Sequence, residues 1–307
     1  MKWIFTPSNF LLIIFSLLTV LVLSPILSIS LGLIYSLLYR NNAQELSSQI
    51  TTIPLQIGIV LLGFTISAVS LIPLIDSYAI WVLFFIIFSF VLSFILGKIF
   101  RLDIKLNILL ASGLSICGAT AIALIGPLIK ANTKYIFISL AILFSFNTLA
   151  IIIFPLLGNF LKMSNYEFGV FSALAIHDTG SVVGASLAFS SPSVEVAASL
   201  KILRTLGLIP LILLLKYKFN ANKKGFICPS FIIYFFVALT VANIFELSYS
   251  LIEYLKILSK IFIILGIFCI GLQSSKIGYK ELSFKPLVLA LIVWLCVIPM
   301  AYLISVS

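Results

Sequence analysis

Residues 167–190, EFGVFSALAIHDTGSVVGASLAFS, decide the fold, because they form an apolar segment of helical length with a polar interruption at its centre. The interruption is residues 177–181, HDTGS, which include the only histidine of the chain. Ionisable side chains are costly at membrane depth, so this pattern predicts a helix that breaks near the middle of a membrane. The break would expose unpaired N–H groups at the start of the second half-helix, where Asp178, Thr179 or Ser181 could cap them.

The break has two interpretations. In the first, His177 and Asp178 pair with each other and cap a structural kink. In the second, it is a substrate or coupling-ion site, because broken membrane helices direct their ends at transported ions and because histidine titrates near neutral pH. We predict the second, with His177, Asp178, Thr179 and Ser181 as binding residues.

The composition makes lipid the solvent for most of the chain. Hydrophobic residues make up 62% of the 307 residues and charged residues 9%, and the mean hydropathy is +1.29. A water-soluble domain could not cover such a composition with polar surface. Continuous apolar runs select helices over a closed barrel, so we predict one all-α polytopic membrane domain over residues 1–307.

Eleven hydrophobic segments are predicted, although residues 10–39 could form one span or two, with Pro25 breaking or kinking them. Apolar character continues beyond the first segment without a cleavage site, so we expect no cleaved signal peptide. The segments are residues 10–23, 25–39, 52–74, 78–97, 107–130, 134–158, 167–190, 196–215, 228–245, 257–275 and 285–304.

Basic residues distribute unevenly over this topology. One side would carry Lys2, Arg40, Lys98, Arg101, Lys105, Lys162, Lys216, Lys218, Lys223, Lys224, Lys276, Lys280 and Lys285. The other side would carry Lys130, Lys134, Lys256 and Lys260. The positive-inside rule makes the first side cytoplasmic and the C-terminus extracytoplasmic. The same bias explains the net charge of +10 without a nucleic-acid partner.

A faint internal echo indicates an inverted repeat. Residues 57–67, IGIVLLGFTIS, align with residues 265–275, LGIFCIGLQSS, through Gly58 with Gly266 and Gly63 with Gly271. The two segments would have opposite orientations, as in many secondary transporters.

Two cations interrupt the eighth segment. Lys201 and Arg204 lie one helical turn apart and share one helix face. They could snorkel toward the nearby interface, or they could form an anion site, which the fork geometry of arginine suits. Both interpretations stay open on sequence grounds.

Small and hydroxyl residues characterise the fifth segment, where Cys117, Gly118, Ala119 and Thr120 precede a Gly-Pro pair. They could serve close helix packing, or they could form a second broken helix that crosses the first, with its amides facing the solute. Other polar residues inside apolar segments, expected to hydrogen-bond between helices, are Gln56, Asn147 and Gln273. The cysteines, expected to be core residues without metal-ligand spacing, are Cys117, Cys228, Cys269 and Cys296.

Five motifs in order resemble the bacterial YeiH-type family of proposed sulfate exporters. They are residues 55–64 (LQIGIVLLGF), 115–119 (SICGA) with Lys130-Ala131, His177-Asp178 with Val182-Val183, 201–204 (KILR), and Gly271-Leu272 followed by 285–287 (KPL). The resemblance implies an inner-membrane protein of ten to eleven helices, related to the bile-acid, arsenite and riboflavin transporter superfamily, with an inverted repeat and crossed broken helices. The family commonly has His-Glu followed by Val-Ala-Gln, where this chain has residues 177–181, HDTGS, so its solute could differ.

We therefore expect a secondary transporter of a small anion such as sulfate or an organic sulfonate, working as an exporter. Lys201 and Arg204 would attract the oxyanion, half-helix N-termini near Gly118 and Ser181 would bind it, and His177 with Asp178 would carry a coupling proton or sodium ion. The alternatives are a cation/proton antiporter and a membrane ligand sensor that transports nothing. No enzyme motif, cofactor or metal site is indicated, and the expected partners are the anion, the lipid bilayer and, as an open alternative, a second copy in a homodimer.

Overall fold

The computed structural model describes residues 7–39, 53–65, 68–219, 230–245, 247–273 and 284–307. Within these ranges the chain is helical and contains no strand, which confirms the predicted all-α polytopic membrane fold. Predicted residues that lie outside the described ranges are Lys2, Arg40, Lys223, Lys224, Cys228, Lys276 and Lys280, the ends of the two echo segments (66–67 and 274–275), and the side chain of Gln273.

Fourteen α-helices and one π-helical stretch make up the described residues. They are α1 (Pro7–Val22), α2 (Pro25–Leu38), α3 (Ile53–Gly63), α4 (Ala68–Ile99), α5 (Ile104–Ser112) with the π-helical Gly113–Cys117, α6 (Ala119–Leu128), α7 (Thr133–Phe160), α8 (Asn165–Ala175), α9 (Thr179–Phe189), α10 (Ser193–Leu206), α11 (Leu208–Lys218), α12 (Ser230–Ile244), α13 (Tyr249–Gln273) and α14 (Phe284–Val306).

Within the described ranges, five apolar stretches are long enough to cross a bilayer, as expected for a multi-pass membrane protein. They are Ile72–Ile99, Lys134–Phe160, Ser193–Lys218, Ser250–Leu272 and Phe284–Val306. The N-terminal apolar run forms two helices, α1 and α2, as the proline predicts. Pro25 occupies the first turn of α2, where its missing N–H leaves no hydrogen bond unmade, and Ser24 caps that turn.

The fifth predicted segment does not cross the bundle. It forms hairpin 1, in which α5 and the π-helical stretch enter, the chain breaks at Gly118, and α6 returns beside them. The Lys105 Nζ at the start of this hairpin donates a hydrogen bond to the Lys130 carbonyl just beyond its end, at 2.8 Å. Both ends of hairpin 1 therefore lie at the same end of the bundle.

The seventh predicted segment also folds back on itself, as hairpin 2 of α8 and α9. The ring of Phe168 in α8 stacks on that of Phe189 in α9, with centroids 4.1 Å apart. The Ser172 and Ser186 hydroxyl oxygens lie 2.8 Å apart and share a hydrogen bond. The predicted helix break is present, but the second half returns to the side from which the first half entered.

The two hairpins enter from opposite ends of the bundle, because the long helix α7 separates them in the chain. Their tips meet inside, where a Cβ added at Gly118 would lie 3.3 Å from the Asp178 Cβ. The structure thus corrects two predicted crossings into two re-entrant hairpins. It also moves Lys130 and Lys134 to the end of the bundle that holds Lys105, called the basic end below, and Lys162 to the opposite end.

The glycine echo corresponds to one antiparallel helix pair, α3 with α13. A Cβ at Gly58 would lie 2.9 Å from the Ile263 nitrogen, and one at Gly266 would lie 2.9 Å from the Leu55 nitrogen. Each glycine therefore contacts the residue that lies three positions before the other glycine: Gly58 contacts Ile263, and Gly266 contacts Leu55. This reciprocal contact has local twofold symmetry, and it supports the opposite orientation predicted for the two segments.

Candidate functional site

A cavity of about 70 Å³ lies where the two hairpin tips meet, and we call it the tip cavity. Hairpin 1 contributes Ala119 and Thr120 to its wall, and hairpin 2 contributes Asp178, Thr179 and Gly180. The rest of the wall comes from α3, α7, α12 and α13, through Leu55, Gln56, Ile59, Phe144, Phe231 and Ile270. Four predicted site residues, Ala119, Thr120, Asp178 and Thr179, are thus brought to one place.

Asp178 caps the returning helix of hairpin 2. Its Oδ2 accepts hydrogen bonds from the Ser181 backbone N–H at 3.1 Å and from the Ser181 hydroxyl at 3.2 Å. An aspartate at this position satisfies an amide that would otherwise be unpaired inside the membrane. Of the three predicted candidates, Asp178 is the cap, while Thr179 occupies the first turn and lines the cavity.

The returning helix of hairpin 1 begins without such a cap. Gly118 precedes α6 with φ 57° and ψ −119°, and no side chain caps the helix. This backbone conformation is one that glycine adopts readily and other residues avoid. The first two residues of α6, Ala119 and Thr120, line the tip cavity. The start of α6 has no anionic side chain of its own, although the neighbouring Asp178 lies across the tip contact.

Arg204 joins the entering arms of both hairpins. Its Nε donates to the Ser115 carbonyl at 2.8 Å and its Nη2 to the Leu114 carbonyl at 3.1 Å, both in hairpin 1. Its Nη1 donates to the Leu174 carbonyl at 2.6 Å and the Ala173 carbonyl at 3.1 Å, both in hairpin 2. The guanidinium is completely buried and lies 5.0 Å from the Phe85 ring centroid.

Lys201 completes this arrangement one helical turn earlier in α10. Its Nζ donates to the Ile176 carbonyl at 2.7 Å, and its side chain is 0% exposed. The two cations thus cap the C-terminal ends of the entering arms, where helix dipoles carry partial negative charge. Snorkelling toward the interface is excluded by this burial, and neither side chain lines the tip cavity.

His177 and Asp178 do not pair with each other. Asp178 bonds to Ser181, whereas neither ring nitrogen of His177 makes a well-formed hydrogen bond within the described residues. The His177 ring is completely buried, and the Leu114 carbonyl lies close to it. The predicted histidine thus lies behind the tip, near Arg204 and Lys201. Cys117 is likewise completely buried behind the tip of hairpin 1.

Two amide side chains that were not predicted as site residues, Gln56 and Asn147, lie at or near the tip cavity. Gln56, expected only to bond between helices, lines the tip cavity. Asn147 is 1% exposed, yet its Oδ1 and Nδ2 have no hydrogen-bond partner among the described residues. It lies on α7 one turn after the cavity residue Phe144 and one turn before Ile151, which faces Gly184 of α9. In the sequence, the only indication of a role for Gln56 and Asn147 is that each is a polar residue inside an apolar segment.

Similarity to known proteins extends over most of the chain. A UPF0324 membrane protein of Photobacterium profundum is 34% identical over 200 residues, which are 65% of this chain and 61% of that protein. One of Streptococcus pneumoniae is 34% identical over 258 residues, 80% of this chain and 77% of the relative. One of Bacteroides thetaiotaomicron is 29% identical over 277 residues, 89% and 84% of the two chains. The chain thus spans about three fifths of the Photobacterium relative's length and more of the other two.

No solved structure matches the chain. The family profile described as "Conserved hypothetical protein 698" matches residues 10–290, a range that contains every residue of the candidate site. This match agrees with the YeiH-type resemblance seen in the sequence. The chain therefore belongs to the conserved hypothetical protein 698 family, whose relatives are the UPF0324 membrane proteins.

Proposed function

We propose that this protein is a secondary transporter that moves a small anion, such as sulfate or an organic sulfonate, across a bacterial inner membrane. The observation that carries the proposal is the opposed geometry of the hairpins. The N-termini of α6 and α9 open on one cavity, while Arg204 and Lys201 cap the entering arms behind it. Helix N-termini favour anions through their free amides and their dipoles.

Charge at the tips supports an anion as the solute. Among the described residues, the acidic and basic side chains at the tips and directly behind them, His177 aside, are Asp178 at the cavity and Lys201 and Arg204 behind it, one carboxylate and two cations. Buried charge that is not balanced is costly, so a bound anion would stabilise this arrangement. Lys201 and Arg204 would then attract the oxyanion from behind the tips by their charge, because their hydrogen bonds go to backbone carbonyls.

Coupling to an ion gradient would use the tip of hairpin 2. Asp178 lines the cavity beside the expected anion site, and a proton or sodium ion on it would reduce the repulsion between its carboxylate and an anion. His177 lies directly before it in the chain and would exchange the proton. No other cofactor is proposed.

Sidedness follows from basic residues at the two ends of the bundle. In the described part of the chain the basic end holds Lys98, Arg101, Lys105, Lys130, Lys134, Lys216, Lys218 and Lys285. The opposite end holds Lys162, Lys256 and Lys260. By the positive-inside rule, we place the basic end in the cytoplasm and the C-terminus outside it. Each hairpin would then separate the tip cavity from one side of the membrane.

The test is uptake of radiolabelled sulfate into proteoliposomes that hold the purified protein, with and without an imposed pH gradient. Thr179→Val keeps the shape of a cavity residue and removes its hydroxyl. Losing one hydrogen bond to an anion should raise the half-saturating sulfate concentration about tenfold. Thr240→Val, on the exposed face of α12, is the matched control and should leave uptake unchanged. Absence of uptake under every gradient would reject sulfate as the substrate.

A cation/proton antiporter is the second candidate, because the Asp178 carboxylate lines the cavity. It predicts proton release when sodium is added in the absence of any permeant anion, and loss of that release in Asp178→Asn. Anion transport with no sodium-driven proton release would exclude it. Sulfate binding without flux would instead indicate a ligand sensor.

A further inference from the structure

A second and larger cavity, of about 390 Å³, lies between hairpin 2 and helices α3 and α13. We call it the vestibule. Its wall includes Ser191 and Pro192, which directly follow hairpin 2, and Thr65, just beyond α3. The vestibule therefore lies at the end of the bundle opposite the basic end, where hairpin 2 enters.

The same three helices line both cavities. On α9, Gly180 lines the tip cavity and Leu187 the vestibule, and on α13, Ile270 lines the tip cavity and Ile263 the vestibule. Each pair is seven residues apart, which is about 10 Å along a helix. On α3, Ile59 lines the tip cavity and Leu62, one turn later, lines the vestibule. The vestibule is thus stacked directly on the tip cavity.

Apolar side chains close the short distance between the cavities. Val183 and Ile267 are 0% exposed, Ile59 is 1% exposed and Ile263 is 2% exposed, and all four belong to one packed cluster. We call them the apolar plug. No charged or hydrogen-bonding side chain is among these four, so a hydrated anion could pass only if the plug side chains moved apart.

One cation of the vestibule has no ion-pair partner among the residues that the structure describes. Lys256 and Lys260 lie one turn apart on α13 and both contribute to its wall. Lys256 is paired with Glu253 at 3.5 Å and is also attracted by Glu195, a wall residue. Lys260 forms no ion pair within the described ranges and is only partly exposed. Its ammonium group is free to bind an oxyanion that enters the cavity.

We propose that the vestibule is a waiting site for the transported anion on the extracytoplasmic face, in which Lys260 holds an oxyanion outside the closed apolar plug. The inference rests on the proposed function for the direction of the path and the class of ligand. The vestibule would concentrate the anion near the plug, and plug opening would admit it to the tip cavity.

Thiol accessibility tests the path without requiring transport. In protein whose Cys228, Cys269 and Cys296 are replaced by alanine, Cys117 stays because it is completely buried. Single cysteines are then introduced as Ser191→Cys in the vestibule and Gln56→Cys in the tip cavity. A charged, membrane-impermeant methanethiosulfonate is added from the extracytoplasmic side. We expect rapid labelling of Ser191→Cys and slow labelling of Gln56→Cys.

Trimming the plug should open the path. Ile267→Ala, or Val183→Ala if the first variant does not fold, should accelerate extracytoplasmic labelling of Gln56→Cys at least tenfold. Ile142→Ala removes an equally buried isoleucine of α7 outside the plug and should have no effect. Unchanged Gln56→Cys labelling in a folded plug variant, or an unreactive Ser191→Cys, would overturn the proposal.

Anion recruitment is measured by labelling Ser191→Cys with a sulfonate-bearing reagent and with a trimethylammonium-bearing one. Lys260→Gln should lower the anionic-to-cationic rate ratio about fivefold, as expected for loss of one nearby charge in a partly aqueous site. Lys162→Gln removes an exposed charge at the same end of the bundle and should leave the ratio unchanged.

An equal fall of the ratio in both lysine variants would reject Lys260 as the recruiting group. Because labelling needs no flux, failure of sulfate uptake rejects the proposed substrate, whereas failure of labelling rejects the vestibule.

Discussion

Arg204 holds together the two elements that form the candidate site. Its three nitrogens donate to carbonyls of residues that are far apart in sequence, 114–115 and 173–174. These are the C-terminal ends of helices inside an apolar bundle, where an unpaired carbonyl would be costly. The side chain therefore links the positions of the tips, and it does so with a planar group that can serve several acceptors at once.

Arg204→Lys keeps the charge and should still weaken the protein. A lysine ammonium has three donors at one point and cannot reach both hairpins, so several charged hydrogen bonds are lost. We expect a loss of about 3 kcal/mol of stability, since such bonds contribute roughly 1.5–3 kcal/mol each. Thermal unfolding in detergent measures it. Arg101→Lys, at an exposed position, is the control, and an equal effect of the two substitutions would contradict the proposed link.

At the scale of single residues, the sequence predicted the helix cap but not the hydrogen-bond partners of the buried cations. An aspartate directly before a helical segment is a known start signal for a helix, and Asp178 does cap α9. The partners of Lys201 and Arg204 are backbone carbonyls, which every residue has and which leave no pattern in a sequence. The two cations could therefore be singled out, but their role behind the tips could not be inferred.

At the scale of elements, two predicted spans became hairpins. Residues 107–130 and 167–190 each have the length and apolarity of one membrane crossing, and length alone cannot distinguish a crossing from two short arms. The interruptions at Gly118 and Asp178 were visible in the sequence, but a break does not show the direction of the chain beyond it. The direction is set by packing, such as the Phe168 to Phe189 stack.

Gly118→Ala tests the turn of hairpin 1. Its φ of 57° with ψ −119° is strained for alanine, which costs roughly 1–3 kcal/mol, and the added Cβ would lie 3.3 Å from the Asp178 Cβ. We expect Gly118→Ala to lower the thermal stability in detergent. We also expect it to reduce sulfate uptake more than the control does, because the added Cβ pushes apart the tips that form the cavity. Gly207→Ala is the control, since its φ of −58° is ordinary and its nearest contact is the end of the Ile86 side chain. Equal effects of both substitutions on stability and uptake would show that neither the backbone conformation of Gly118 nor its contact with Asp178 matters more than an ordinary helix position.

At the scale of the whole molecule, the hairpins strengthen the charge asymmetry that first suggested a topology. The eleven-segment arrangement placed Lys130 and Lys134 on the less basic side. In the structure they join the basic end, and only Lys162 moves the other way. Two re-entrant hairpins increase the difference in the number of basic residues between the two ends, and every helix after them keeps its predicted direction. The positive-inside rule could therefore have indicated the re-entrant segments from the sequence.

Labelling of single cysteines from each side of the membrane distinguishes the two topologies. Arg101→Cys and Lys134→Cys should react from the same side, and Lys162→Cys from the other, because hairpin 1 returns to its starting side before α7 crosses. Eleven crossings would instead place Arg101→Cys with Lys162→Cys and oppose Lys134→Cys. All three residues are exposed, so an impermeant reagent reaches each without unfolding. The pairing of Arg101→Cys decides the matter, since it must share its side with exactly one of the other two. Labelling it together with Lys162→Cys would reject re-entrant hairpin 1 and, with it, an anion site built from opposed helix N-termini.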